Sequence, residues 1–215
     1  ALHGRMQSVE NEQCRPSFQE VWWLRLLLGI RPWLVREQTY WKAVALYRLL
    51  SRYNLVLGSS QSSEIRDTTM PRNYLKGLSE VQARAGLKAL NHLDETIRLR
   101  KRNADLYTTF LAKHGRNHVP HAFFRDHAFL KYPLLVKDRR ALQAAAEEAH
   151  IPLGDWFFSP LHPVTKGLEK WNYRVGDYPV AERLARTVVN LPTDTSHPEK
   201  VVSFLARHLE LIEAV

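Results

Sequence analysis

Three histidines that follow the longest helical pattern of the chain have a spacing that could suit a metal ion. His114, His118 and His121 recur at intervals of four and three residues, which would align their imidazoles on one face of a helix. Gly115 and Pro120 interrupt such a helix, and no cysteine or acidic residue lies among the three histidines. We therefore expect no zinc site. The sequence also has no G-x-x-x-x-G-K phosphate loop and no G-x-S-x-G nucleophile turn.

A run of cations, RLRKR at residues 98–102, is the kind of segment that can contact nucleic acid. The run lies on a helical pattern whose opposite side is apolar, so a solvated face explains it without a nucleic-acid partner. The net charge of the whole chain is nevertheless +9. Such a balance favours an anionic partner, either a phosphorylated metabolite or a membrane surface, but a basic proteome or a missing acidic half would also produce it.

The cysteine content and the N-terminal sequence indicate the cellular compartment in which the protein resides. Cys14 is the only cysteine, so no intrachain disulfide can form, and residues 1–18 lack an apolar signal core. We therefore expect a cytoplasmic protein. The chain starts with Ala1 rather than Met, which is typical of a fragment or a processed product.

The longest apolar run, residues 21–35, is too short and too interrupted to cross a membrane. Arg25, Arg31 and Pro32 break it, whereas a spanning helix needs roughly 20 apolar residues. Its tryptophans, Trp22, Trp23 and Trp33, also occur in helices that lie at a membrane surface. The alternative is a helix that packs on a missing domain or on a second subunit.

The elements divide the chain into two parts. A capping box formed by Ser17 and Glu20 predicts a helix to about Gly29, and residues 36–53 predict a second helix. Residues 58–73 have loop composition, so we expect an N-terminal segment with a helical hairpin, 1–73, and a second domain, 74–215.

The second domain is predicted to be a small α+β layer, mostly helical. One long amphipathic helix over 78–111 begins at the capping box of Ser79 and Gln82 and stops at Gly115. A strand over 129–136, a helix over 138–150, a strand or extended segment over 151–158 and a helix over 180–189 follow. A capping box of Ser196 and Glu199 opens a last helix over 197–213. Because two strands are unstable alone, a third should lie near 117–124 or Asn190.

Several motifs, in register, resemble one known family. Ser-Glu-x-Gln-Ala opens the long helix and Arg-x-x-Asn-Ala closes it; a Pro-Leu-His turn, a Gly-Asp-Tyr-Pro-x-Ala-Glu segment and a Leu-Pro strand end follow. The matching positions are Ser79, Glu80, Gln82, Ala83, Arg100 or Lys101, Asn103, Ala104, Ser159, Pro160, Leu161, His162, Gly176, Asp177, Tyr178, Pro179, Val180, Ala181, Glu182, Leu191 and Pro192. Over residues 74–212 the chain is similar to the C-terminal part of the DegT/DnrJ/EryC1/StrS sugar aminotransferases. Residues 17–57 resemble an insertion found in some members.

The resemblance implies a fold type I aminotransferase, whose small domain combines a long helix with a short sheet that has helices on one face. Such enzymes hold pyridoxal phosphate in a large N-terminal domain, through a Schiff-base lysine that would precede residue 1. We therefore expect the cofactor in the intact enzyme and none on this chain alone. Three lysines could in principle substitute, Lys76, Lys166 and Lys200, but a Schiff-base lysine needs a desolvated pocket.

The resemblance also implies two contacts for the small domain. With a two-residue shift, Asn73 and Tyr74 match the family's Asn-Tyr pair, which reaches the cofactor phosphate of the neighbouring subunit; without the shift, Leu75 takes the Asn position. His162 falls on the loop that faces the sugar-binding cleft, where a neutral imidazole can hydrogen-bond a sugar hydroxyl. The alternative for His162 is a turn histidine that is bonded locally.

The sequence thus predicts the C-terminal portion of an enzyme that transfers an amino group to a keto-sugar carried on a nucleotide. Its partner would be a second copy in a homodimer or the missing N-terminal domain, and it would be inactive alone. Two alternatives stay open: a non-catalytic binding or scaffold module descended from that domain, and a basic peripheral membrane protein.

Overall fold

A computed structural model describes residues 4–5, 15–34, 39, 42–43, 45–46, 49, 68, 76–154 and 156–215. The described elements are α1 (Phe18–Leu34), α2 (Glu80–Leu90), α3 (Leu93–Lys113), β1 (Tyr132–Leu135), α4 (Arg139–Glu148), α5 (Pro179–Thr187), β2 (Val188–Leu191) and α6 (Pro198–Arg207). Short 3₁₀ helices cover His121–Phe123, Leu168–Trp171 and Leu209–Leu211. The architecture of the described part is a mostly helical α+β fold, as predicted.

The two strands pair antiparallel and form a small sheet with two sides. Tyr132 lies opposite Leu191 and Leu135 opposite Val188. Because side chains alternate along a strand, Tyr132 and Leu134 are fully buried in the core with residues of α3, α4 and α6. Pro133 and Leu135 point to the other side, which α5 borders. Pro133 is compatible with β1 because β1 is an edge strand among the described residues.

The predicted capping box at the start of α1 is confirmed, but the predicted end at Gly29 is wrong. The backbone N–H of Glu20 donates to Ser17 Oγ at 3.3 Å, and that of Ser17 donates to Glu20 Oε2 at 2.8 Å. The helix continues past Gly29 to Leu34. A glycine inside a helix costs only about 1 kcal/mol relative to alanine, which is too little to stop one.

The single long helix predicted over 78–111 is two helices. The turn at Asn91 and His92 separates α2 from α3, and the N–H of His92 bonds the Ala89 carbonyl at 3.1 Å, three residues back rather than four. The capping box of Ser79 and Gln82 and the stop at Gly115, whose φ is +61°, are confirmed. α2 contacts α1 but buries no residue completely, so tertiary packing is too weak to hold a continuous helix across Asn91 and His92, two residues of low helix propensity.

The strand alternative for residues 151–158 and the helix end at residue 189 are wrong, whereas the alternative of a strand near Asn190 is confirmed. Residues 151–154 form no strand but touch β2 through one bridge, between Gly154 and Asn190. Residues 117–124 hold a 3₁₀ helix, while the strand expected near Asn190 is β2. The helix predicted over 180–189 stops at Thr187, and Val188 and Val189 belong to β2. A short apolar run does not reveal whether it is helix or strand until its pairing partner is known.

The capping box of Ser196 and Glu199 is also wrong. The N-cap of α6 is His197 and the first helical residue is Pro198. A residue before proline is disfavoured in the helical region, so His197 cannot be the first helical residue that a Ser196 cap requires. Pro198 instead fits the first position, where its missing N–H has no intrahelical partner.

Most of the predicted N-terminal hairpin lies outside the described residues. Lys42, Ala43, Ala45, Leu46 and Leu49 are helical, in agreement with a helix over 36–53. Of the predicted loop 58–73 only Thr68 is described, so the boundary at residue 73 stays a prediction. α1 contacts α2, and the ammonium of Lys76 pairs with Glu20. None of the described helices is long and apolar enough to cross a bilayer.

Candidate functional site

The turn that carries His162 is held by its own backbone and by aromatic rings. The N–H of His162 donates to the Ser159 carbonyl at 3.1 Å, and the Ser159 hydroxyl accepts from the Leu161 N–H at 3.2 Å. The half-buried imidazole meets the Phe158 ring edge-on, with centroids 4.6 Å apart, and lies 5.8 Å from the ring of Phe157. The imidazole is therefore fixed in position by aromatic contacts.

Phe157 holds an uncommon backbone conformation. Its φ is +63°, in the left-handed region that bulky side chains rarely adopt and that costs roughly 1–3 kcal/mol. Strain of this kind concentrates where a segment is shaped for binding. Phe157 and its neighbours Ser159 and Pro160 line a cavity beside the sheet.

An apolar cavity of about 480 Å³ lies between this turn, the sheet and α5. Its volume is in the range of small-molecule sites, and its polar groups are few. The lining residues are Asn117, His118, Val119, Pro120, Phe123, Pro133, Leu135, Phe157, Ser159, Pro160, Ala181, Leu184, Ala185 and Val188. His162 does not itself line the cavity; its neighbours Phe157, Ser159 and Pro160 do.

The loop before α5 is anchored by one carboxylate. Glu182 Oε1 accepts hydrogen bonds from the Tyr173 hydroxyl and from the Gly176 N–H, both at 2.6 Å. The bond from Tyr173, with that from Gly176, lowers the pKa of Glu182. Burial of the phenol and the neighbouring carboxylate raise the pKa of Tyr173 to about 12. Glu182 therefore fixes the loop that leads into the α5 wall of the cavity.

A second anchor joins α3 to the segment after β2. Asn103 Nδ2 donates to the carbonyls of Thr193 at 2.9 Å and Thr195 at 2.8 Å, and the Tyr107 hydroxyl donates to the Pro192 carbonyl at 2.8 Å. Both side chains are fully buried. Buried backbone carbonyls need partners, so Asn103 and Tyr107 determine where the chain leaves the sheet.

The three lysines considered for covalent chemistry do not provide the required environment. Lys166 and Lys200 are exposed, and Lys76 is ion-paired with Glu20. A lysine that forms a Schiff base must have an amine that is easily deprotonated, which exposure to water or an acidic partner opposes. Lys200 borders a smaller cavity of about 290 Å³ with His150 and His197. None of these three lysines therefore fits the Schiff base of pyridoxal phosphate.

The histidine trio and the cationic run have local partners. His114 Nδ1 and His118 Nδ1 lie 2.8 Å from the carbonyls of Phe110 and Arg116, and His121 Nε2 lies 2.9 Å from Asp105 Oδ1. No group of three or more potential metal ligands occurs in the part of the chain that the structure describes. Lys101 of the RLRKR run donates to the Arg125 carbonyl at 2.9 Å.

Comparison with known proteins identifies the family. The model of the DegT/DnrJ/EryC1/StrS aminotransferase family matches residues 55–205, well over half of the chain. The chain belongs to this family. None of the curated proteins matches it.

A solved structure shares the fold of this aminotransferase-family chain. The chain is similar to a DegT DnrJ EryC1 StrS aminotransferase from Brucella abortus, with a TM-score of 0.50 and 22% identity over 68% of this chain. It spans only 42% of the length of that protein. The match therefore concerns part of an aminotransferase.

The family motifs coincide with the two anchors. Asn103 belongs to the Arg-x-x-Asn-Ala motif inside α3, and Glu182 ends the Gly-Asp-Tyr-Pro-x-Ala-Glu segment. The motifs mark Asn103 and Glu182 as family positions but do not reveal their hydrogen bonds or the role of Tyr173. No local pattern indicates that Tyr173 and Gly176 both bond Glu182. Asn73 and Tyr74 lie outside the described residues.

Proposed function

We propose that this chain is the C-terminal portion of a pyridoxal phosphate-dependent aminotransferase that acts on a keto-sugar linked to a nucleotide, and that it is inactive alone. The match to the aminotransferase family over residues 55–205 carries this proposal. The exposed or ion-paired state of Lys76, Lys166 and Lys200 supports the second part, because none has a desolvated amine.

In this proposal the turn and the cavity form one wall of the substrate cleft. A sugar presents apolar C–H faces between its hydroxyls, so an apolar wall with a few fixed polar groups suits it. His162, held by Phe158, would donate to or accept from a sugar hydroxyl at the edge of that wall. The Asn73 and Tyr74 pair would reach the cofactor phosphate of a neighbouring subunit.

An exposed apolar stripe suits the contact with the cofactor domain or with a second subunit. Leu87, Leu90 and Leu93 lie at helical spacing on α2 and the start of α3, and all three are exposed. These leucines fall inside the family match, so we expect a partner that the family shares to bury them. Burying such a stripe would also hold α2, which has no completely buried residue of its own.

The first test uses the chain alone with pyridoxal phosphate. We expect no stoichiometric visible absorbance and no lysine label after borohydride reduction. A stoichiometric label on Lys76, Lys166 or Lys200 would contradict the proposal.

The second test uses the sequence upstream of Ala1 in the genome. A cofactor domain encoded in frame would supply the enzyme, and in that enzyme His162→Ala should raise KM for the keto-sugar while cofactor absorbance is retained. His92→Ala, on an exposed turn, is the matched control. If no such domain is encoded and no separate one binds the chain, the non-catalytic scaffold replaces the proposal.

A further inference from the structure

Helix α1 presents an apolar surface to solvent over about half of its circumference. Phe18, Trp22, Leu26 and Ile30 recur every four residues, and Trp23 and Leu27 lie one residue further round. All six side chains are exposed, with Trp22 and Trp23 at 52% and 53%. At about 100° per residue these positions span roughly 180°. We call this set the Trp face.

The rest of the protein fixes which way the Trp face points. Glu20, Val21, Leu24 and Leu28 on the opposite side of α1 are half-buried, and Glu20 pairs with Lys76. The hydrogen bond from Lys76 lowers the pKa of Glu20. Glu20 is the only acidic residue between Phe18 and Leu34, so the Trp face carries no negative charge.

The partner of the aminotransferase-family fold does not explain this surface. α1 lies before residue 55, where the family match begins. The family match therefore gives no partner for α1. We therefore expect a binding partner specific to α1, since a contiguous exposed apolar surface of this kind marks an interaction site.

The positive charge of the N-terminal part distinguishes between two candidate partners for the Trp face, a second copy of the chain and an anionic surface. Residues 1–90 contain 13 of the 31 lysines and arginines but only 7 of the 22 acidic residues. Arg25 on α1, Lys42 and Lys88 are exposed among them. A second copy of the chain would bring the same positive charge against itself, whereas an anionic surface would neutralise it.

We propose that the Trp face docks on an anionic lipid bilayer, with α1 lying in the plane of the headgroups. The helix is about 26 Å long, less than the roughly 30 Å hydrocarbon core, so it would lie in the interface rather than span it. Tryptophan prefers the headgroup region, and Arg25 can reach the phosphates while its stem stays on apolar surface. Leu46 and Leu49, in the same N-terminal segment, are also exposed apolar side chains.

Co-sedimentation of the full chain with vesicles tests the proposal. We expect binding to vesicles of phosphatidylcholine and phosphatidylserine at 3:1, and weaker binding to phosphatidylcholine alone. The double change Trp22→Ser and Trp23→Ser should reduce binding at least about tenfold, because it removes the inserted rings. Arg25→Glu should reduce binding to the anionic vesicles about fivefold or more.

Two exposed residues elsewhere provide matched controls. Trp156→Ser removes an exposed tryptophan outside α1, and Arg207→Glu reverses an exposed arginine at the end of α6. Both should bind vesicles as the wild type does. Quenching of tryptophan fluorescence by brominated lipid gives a second readout on the wild-type chain, so the proposal does not depend on the folding of a variant.

Three results would overturn the proposal. The wild-type chain could stay in the supernatant with both vesicle types at low salt. Binding could persist unchanged in the Trp22 and Trp23 variant, which would place the contact elsewhere. The Trp face could instead drive a concentration-dependent dimer that binds no lipid, and a second copy of the chain would then be its occupant.

Discussion

Asn103 and Thr193 lie ninety residues apart in the chain and are joined by a buried hydrogen bond of 2.9 Å, from the side-chain amide to the backbone carbonyl. The same amide also bonds the Thr195 carbonyl. One side chain of α3 therefore provides partners for two carbonyls where the backbone leaves β2 and approaches α6.

Replacing Asn103 with alanine should lower the free energy of unfolding by about 2–4 kcal/mol. The change leaves two carbonyls without their partner, and an unsatisfied buried group costs roughly 1–3 kcal/mol. Urea denaturation followed by circular dichroism measures the effect. Asn91→Ala, at an exposed turn, should stay within about 0.5 kcal/mol of the wild type; equal losses for the two variants would contradict the anchor.

Removing the Tyr132 hydroxyl should destabilise the core by about 1–3 kcal/mol. The hydroxyl lies 2.9 Å from Thr108 Oγ1 and accepts from the Val119 N–H at 3.0 Å, so Tyr132→Phe leaves both without this partner. The measurement is the urea midpoint. Tyr178→Phe changes an exposed phenol and should have no effect, and a similar shift in both variants would argue against the network.

Glu182→Gln should weaken the protein more at neutral than at acidic pH. The folded-state pKa of Glu182 is lowered, so its carboxylate stabilises the fold above the unfolded value of 4.5. That contribution is lost as pH falls through the folded pKa. The difference in urea midpoint between wild type and variant should therefore shrink between pH 7 and pH 3. Glu148→Gln, on an exposed face of α4, should show no such trend, and a constant gap for Glu182→Gln would contradict the assignment.

Ser79→Ala should loosen α2 by about 1 kcal/mol. The Ser79 hydroxyl accepts from the Gln82 N–H at 3.3 Å, and an N-cap serine typically contributes this amount. α2 has no completely buried residue to compensate, so amide hydrogen exchange should accelerate there before it does in α3. Ser203→Ala, exposed in α6, should leave exchange in α2 unchanged. Unaltered exchange in α2 after Ser79→Ala would show that the cap is not needed.

The sequence predicted best those features that depend on neighbouring residues. The capping boxes at Ser17 and Ser79 and the helix end at Gly115 each depend on only a few neighbouring residues. All three are confirmed. The failures depend on distant packing. Leu90 and Leu93 match a helical stripe, yet both are exposed, so nothing prevents the chain from turning between them. Ile151 and Leu153 are buried without belonging to a strand, because their neighbour Gly154 makes only one bridge to β2.

The candidate site was only partly foreseeable for a similar reason. Motif spacing leads to His162 and Glu182, but the cavity needs Pro133 on β1 and Ala181 on α5 to face each other, and no local pattern reports that. The hydrogen bond between Glu182 and Tyr173 likewise requires the loop between them to close on itself.

Gly154 has a final consequence for the cavity. A methyl group added at this position would lie 3.0 Å from the Asn190 Cβ, nearer than side-chain carbons normally approach. Because Gly154 has no side chain, the segment that enters the 156–164 turn can lie this close to β2. A larger residue at position 154 should therefore force this segment away from β2 and displace Phe157 and Ser159, which line the cavity, from a position that does not line it itself.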